Sequence, residues 1–286
     1  MPSMKAVKRR IGSVKNIQQI MKAMKLVATS KVQRFRVKMD AVKPMFDEAN
    51  NFVQRGITHQ DAMDSPYYQA REVKKVAYVV ITGERGLCGS YNSNILKESL
   101  AHMNQNAKSE SVITLGAKGR EYFVRRDKKH VAEYKGILEN VSYKDAEAVA
   151  KQLVNMYNAE GEDRVDEVYL AYTQFETLLS HVPTVTKLLP LGAPDENTEA
   201  GGVEVDYEPD VLTYLDKAVP VYLTMLIYGA MTQASVCEQA ARMTSMDSAS
   251  RNAEELVDKL TLQYNRQRQG AITQEISEIV GGANAI

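Results

Sequence analysis

The stretch "VVITGERGLCGSYN", residues 79–92, decides how the middle of this chain folds. The apolar run from Val76 to Ile81 leads into a turn with three glycines, Gly83, Gly86 and Gly89, and a helical segment follows from Ser93. Strand, glycine turn and helix form the layout that cradles phosphates in nucleotide-binding proteins. The turn itself does not carry the chemistry. A P-loop aligned on Gly83 finds Cys88 where the second glycine belongs and Gly89 where the lysine belongs, and only Ser90 agrees. The glycines are spaced G-x-x-G-x-x-G, not the G-x-G-x-x-G of a dinucleotide site. The plainer reading is a packing turn with a small buried thiol at Cys88.

Working outward, residues 76–191 alternate in type. Val76–Thr82, Ser111–Leu115, His130–Tyr134 and Glu167–Tyr172 are predicted strands, and Thr184–Leu191 a fifth. Ser93–Asn104, Gly119–Arg126 and Tyr143–Asn158 are predicted helices. This order predicts a mostly parallel, Rossmann-like sheet over residues 74–191. Polar stretches at Gly56–Glu72 and Gly192–Asp210 are expected as connectors.

The two ends of the chain have a different period. Apolar residues recur at Met4, Val7, Ile11, Val14, Ile17, Met21, Met24 and Val27, then at Val32, Phe35, Met39, Val42 and Phe46. Steps of three and four are the spacing of a coiled-coil seam, and they predict one long helix over residues 1–55. From residue 207 onward a second series includes Leu215, Val219, Leu226, Ala253, Leu260, Ile272 and Ile279. It passes through Pro220 and is expected to stop at Gly281-Gly282. Two long helices at opposite chain ends most simply pair antiparallel. The expected fold is therefore a long antiparallel coiled coil of residues 1–55 and 207–286 joined to an α/β domain.

Composition narrows the function. Of 36 Lys and Arg, twelve lie in residues 1–43 beside a single acid, Asp40; this leaves 24 bases against 35 acids elsewhere. A basic arm of this kind faces nucleic acid, anionic lipid or an acidic protein surface, or is a solvated helix face. The first aromatic residue is Phe35, which weakens a single-strand nucleic-acid reading. The four histidines lack ligand spacing, so no metal site is expected, and there is no G-x-S-x-G elbow. Two cysteines, Cys88 and Cys237, imply no disulfide framework and a reducing compartment. No uninterrupted apolar run approaches the roughly 18 residues of a membrane span.

Three stretches carry a family resemblance: "KAMKLVATSKVQRF" (22–35), "ITGERGLCGSYN" (81–92) and the segment from Glu238 to Ala285 that begins "EQAARMTSM". Together they resemble the gamma subunit of F-type ATP synthases over essentially the whole chain. The family's turn usually reads T-S-D-R-G-L-C-G, so Gly83 and Glu84 depart from it, and Cys237 stands where serine is usual. The resemblance implies a rotary shaft without catalytic residues or cofactor. Its partners would be the alpha and beta subunits, the epsilon subunit and the c-ring. It would bind no nucleotide or nucleic acid itself and would sit at the cytoplasmic face of the cell membrane through its complex. It implies ring contacts at Met24, Arg242, Gln269 and Thr273. It gives the turn Arg85, Gly86, Leu87, Cys88 and Gly89 a role in the foot domain's fold and contacts. Two alternatives are a basic coiled-coil adaptor for nucleic acid or an anionic membrane, and an oxidoreductase built on the α/β domain.

Overall fold

The computed structural model describes residues 3–56, 63–69, 71–106, 108–192 and 210–283. Residues 57–62 and 70 of the first expected connector and 193–209 of the second lie outside the described residues, and so does His59. By contact density the chain forms two compact units. One comprises residues 30–241, and the other residues 1–29 with 242–286. The two long helices, α1 (Met4–Gly56) and α5 (Val211–Ala283), each contribute to both.

In the larger unit, β1 (Lys75–Ile81), β2 (Ser109–Leu115), β3 (His130–Tyr134), β4 (Glu167–Phe175) and β5 (His181–Leu189) form one sheet in the order β3-β2-β1-β4-β5. β1 is parallel to both β2 and β4, β2 is parallel to β3, and β5 runs antiparallel to β4. The helices between the strands are α2 (Tyr91–Asn106), α3 (Ala117–Val124) and α4 (Tyr143–Tyr157). β1 is buried nearly throughout, as a central parallel strand covered on both faces must be. Its side chains alternate. Val76, Tyr78 and Val80 pack with Ile95, Leu96 and Met103 of α2 and Phe123 of α3. Ala77, Val79 and Ile81 face the other layer, which holds Val149 and Leu153 of α4, Phe35 of α1, and Leu215, Leu223 and Ile227 of α5. Both terminal helices are thus part of the domain's main core. They run antiparallel there, with residues 39–43 beside 229–233 and residues 45–48 beside 214–225.

Burial along α1 corrects the expected seam. The shielded positions include 4, 7, 11, 14, 18, 21, 25 and 28, then 32, 35, 39 and 42, spaced by three and four, with 24, 31 and 38 half-buried beside them. Gln18 and Ala28 therefore stand where Ile17 and Val27 were expected, while Met24 is half-buried as Lys25 is. Ile17, Ile20, Leu26 and Val27 are exposed, Leu26 by 71%. On α5 the matching series is 246, 250, 253, 257, 260, 264, 267 and 271, after which every position to 280 is exposed. In the smaller unit Lys25 Nζ meets Asp247 Oδ1 at 2.5 Å.

The sequence expectation needs two further corrections. α5 does not stop at Gly281-Gly282 but continues to Ala283, and it holds Pro220 in its interior. An 18-residue window of α5 also reaches a mean hydropathy of 1.2, enough by length and composition to cross a membrane. Of that window 61% is buried inside the protein, so its apolar character is accounted for by a core helix.

Candidate functional site

In an open α/β sheet, ligands bind outside the carboxyl ends of the strands where the strand order reverses. Here that point lies between β1 and β4. The structure fills it with the chain's own C-terminal helix. Tyr91 Oη donates to the Ala234 carbonyl at 3.1 Å, Cys237 Sγ donates to Thr173 O at 3.6 Å, and Phe175 N donates to Gln233 Oε1 at 3.3 Å. The Glu238 carboxylate lies against Gly83. A Cβ at residue 83 would meet Glu238 Oε1, the tip of a flexible side chain of α5, at 2.9 Å.

The glycine turn is held from within. Asn92 accepts from Gly83 N at 2.7 Å through Oδ1, and its Nδ2 donates to Cys88 Sγ at 3.2 Å and to Arg85 O at 3.4 Å. Leu87 takes a left-handed φ of 62° and is exposed at the tip. Cys88 is buried and joins Tyr91 and Cys237 in a small cluster. The two thiols that the sequence places on separate elements therefore share one neighbourhood, and neither forms a disulfide. Burial pushes the Cys237 thiol up to about 12, so it stays protonated at neutral pH. Burial likewise raises the Tyr91 hydroxyl, with help from nearby Glu238.

Sequence reasoning missed Glu84. Its Oε2 accepts from Ala117 N at 3.2 Å and its Oε1 from Gly136 N at 2.5 Å. Ala117 opens α3, so this carboxylate occupies the helix N-terminus where a phosphate would otherwise bind. It also ties together the loops after β1, β2 and β3. Gly116 completes the junction with a φ of 101°; a Cβ there would stand 2.1 Å from the Thr82 carbonyl oxygen. The only signal in the sequence was an acid in a glycine turn, because both partners are backbone N–H groups from distant segments.

The other expected contact residues lie on the smaller unit. Arg242 is half-buried, and Gln269 and Thr273 are exposed one turn apart on one face of α5. Among the described residues no group of three or more His, Cys, Asp or Glu is placed to hold a metal ion. His102 bonds Tyr78 Oη at 2.9 Å and His130 bonds Thr114 Oγ1 at 2.9 Å, both structural pairings.

A family model described as ATP synthase matches residues 3–286. The chain is 40% identical to the ATP synthase gamma chain of Pelotomaculum thermopropionicum over 286 residues, covering all of both chains. It is equally identical to that of Desulforamulus reducens over the same length. Among solved structures, a chain in the central stalk and c-ring of the Tetrahymena thermophila mitochondrial ATP synthase superposes with a TM-score of 0.59 at 27% identity. That match covers 81% of this chain and 99% of the other. A chain of the Euglena gracilis mitochondrial ATP synthase shares the fold with a TM-score of 0.71 at 17% identity, covering 99% and 94%.

Proposed function

The chain belongs to the ATP synthase gamma-chain family, and on that premise we propose that it is the non-catalytic central shaft coupling rotation of the c-ring to ATP synthesis or hydrolysis in the alpha/beta ring. One observation carries the reading: the family match runs over residues 3–286, long helices included. The full-length match leaves no feature that favours the polyanion-binding adaptor or the oxidoreductase.

The physical argument is one of symmetry. A single asymmetric rod inside a ring of alternating subunits meets chemically equal neighbours differently at each angle, and differential contact is what shifts populations. The smaller unit has suitable surfaces. Ile17, Ile20, Met24 and Val27 form a second stripe on α1, outside the seam and flanked by Lys15, Lys22 and Lys31. This stripe suits an acidic, partly apolar lever on a ring subunit. The last turns of α5 expose Ile272, Ile276, Ile279 and Val280 beyond the shielded series, a smooth apolar tip suited to turning in a sleeve. Arg242, Gln269 and Thr273 are proposed as polar ring contacts, Arg242 through its planar guanidinium.

We assign three functional segments: residues 1–55 and 207–286 as the shaft helices and residues 74–191 as the foot, which meets epsilon and the c-ring. The foot binds no nucleotide, because its crevice is filled by α5 and its helix N-terminus by Glu84. The chain reaches the cytoplasmic face of the membrane only through the complex.

Co-purification tests the proposal. A tagged chain is expected to bring down alpha and beta subunits with ATPase activity. Recovery of the chain alone, bound to polyanions with a steep salt dependence, would support the adaptor instead. Met24→Lys probes the stripe. In the contact role proposed for Met24, assembly should persist while proton-driven synthesis falls more than hydrolysis. Loss of assembly with a normal ratio in the surviving complexes would remove the assigned role.

A further inference from the structure

A shaft must transmit torque as well as hold together, and the larger unit contains an arrangement suited to that. The loop after β3, residues 136–142, is joined to the glycine turn twice, through the Glu84 bond to Gly136 N and an Arg85–Glu139 ion pair at 3.2 Å. The same loop holds α1. Arg34 donates to the Glu139 carbonyl at 3.2 Å, and Lys38 donates to the Val141 carbonyl. Arg34 and Lys38 are one helical turn apart, so both reach the loop from one face. Lys38 also lies over the Tyr228 ring of α5, and Tyr228 packs edge-on against Tyr143 just past the loop. Tyr91, which opens α2 directly after the glycine turn, holds α5 through the Ala234 carbonyl. Leu138 and Val141 are buried, which anchors the loop in the core.

We infer that the 136–142 loop and the glycine turn together form a torque clamp that fixes the rotational phase of α1 and α5 against the foot sheet. The inference rests on the rotary reading above and adds the residues that carry the load. Apolar burial is non-directional, and side chains such as Met39 adapt to small rotations. Hydrogen bonds depend steeply on angle, so a helix gripped through them at two successive turns resists twisting. Charged donors on fixed carbonyls are the stronger kind.

The test uses the complex with Arg34→Met and Lys38→Met together, which keeps the apolar stems and removes the donors. Arg36→Met, an exposed neighbour, is the control. ATP hydrolysis by the detached catalytic sector puts no load on the foot, whereas proton-driven synthesis in vesicles drives torque through it. Assembly and detached hydrolysis should stay within about twofold of wild type, while synthesis falls by about fivefold or more. The control should leave both unchanged. Unchanged synthesis in the double variant would overturn the clamp. So would equal loss of synthesis and hydrolysis with poor assembly, which would make the loop a folding element only. Wild-type chain that fails to restore synthesis to vesicles lacking it would instead overturn the rotary reading and the clamp with it.

Discussion

The two compact units solve the same packing problem differently. In the smaller one, two helices share a single heptad stripe whose members include Gln18, Lys25, Ser250 and Gln267, and the outer faces carry exposed isoleucine and leucine. In the larger one the same helices lie against a five-stranded sheet, with large buried side chains and directional bonds to loop carbonyls. One region offers a tolerant seam and a slick surface; the other fixes position and angle. A rotating part needs both properties, and the chain keeps them apart by giving one segment of each helix a single partner and the other a sheet.

The strongest way to break this contrast is at the loop junction. Gly116→Ala should cost more than about 3 kcal/mol, since it combines left-handed strain with a backbone clash against Thr82. Gly136→Ala, with a positive φ but open space, should cost only about 1 kcal/mol. Thermal melts of the two variants check this; equal effects would mean that the junction relaxes freely.

Truncating one leucine in each unit sharpens the comparison. Leu153→Ala in the sheet core should cost about 3–4 kcal/mol, and Leu260→Ala in the seam nearer about 2 kcal/mol, because the seam can close around the gap. Denaturant titration measures both, and a larger loss at Leu260 would contradict the tolerant-seam account.

Asp166 supplies a pH test within the larger unit. Burial alone would raise its pKa. The N–H groups of Lys74 and Lys75, with Arg164 and Arg71 nearby, outweigh that and lower it. A depressed carboxylate stabilises fully above its unfolded value of about 3.9, and the contribution is lost as pH falls through the lower folded value. Asp166→Asn should therefore destabilise at pH 7 and flatten the acid limb of the stability curve. An unaltered acid limb would show that the buried bonds do not select the charged form. The smallest effect is expected at Lys25–Asp247, where the lysine bond lowers the Asp247 pKa but the pair is partly exposed. Lys25→Met should shift the melting temperature less than Leu260→Ala, and the shift should shrink in high salt.

How far the sequence could be read differs between the units for the same reason. The sheet was legible to within a few residues, because buried parallel strands must be continuous apolar runs between glycine and polar turns. β2 and β4 proved longer, and β5 lies at 181–189 and not at 184–191. The seam was misplaced at residues 17 and 27, where apolar identity and heptad position part, and was right at 21, 32, 35, 39 and 42. Gln18 and Lys25 hold seam positions while isoleucines lie outside, and a pattern based on hydrophobicity follows the isoleucines. The contact role proposed for Met24 comes only from the family resemblance. The roles of Glu84, Arg34 and Lys38 were not legible, since each depends on backbone groups supplied by remote loops.

The central claim is that this chain turns. Lys97 is exposed on α2, and both native thiols are buried, so Lys97→Cys offers a single attachment point for a visible probe on the foot. The complex, held to a surface through its ring and given ATP, should show the probe rotating stepwise in one direction for as long as ATP is hydrolysed. Sustained hydrolysis with a stationary probe would contradict the account.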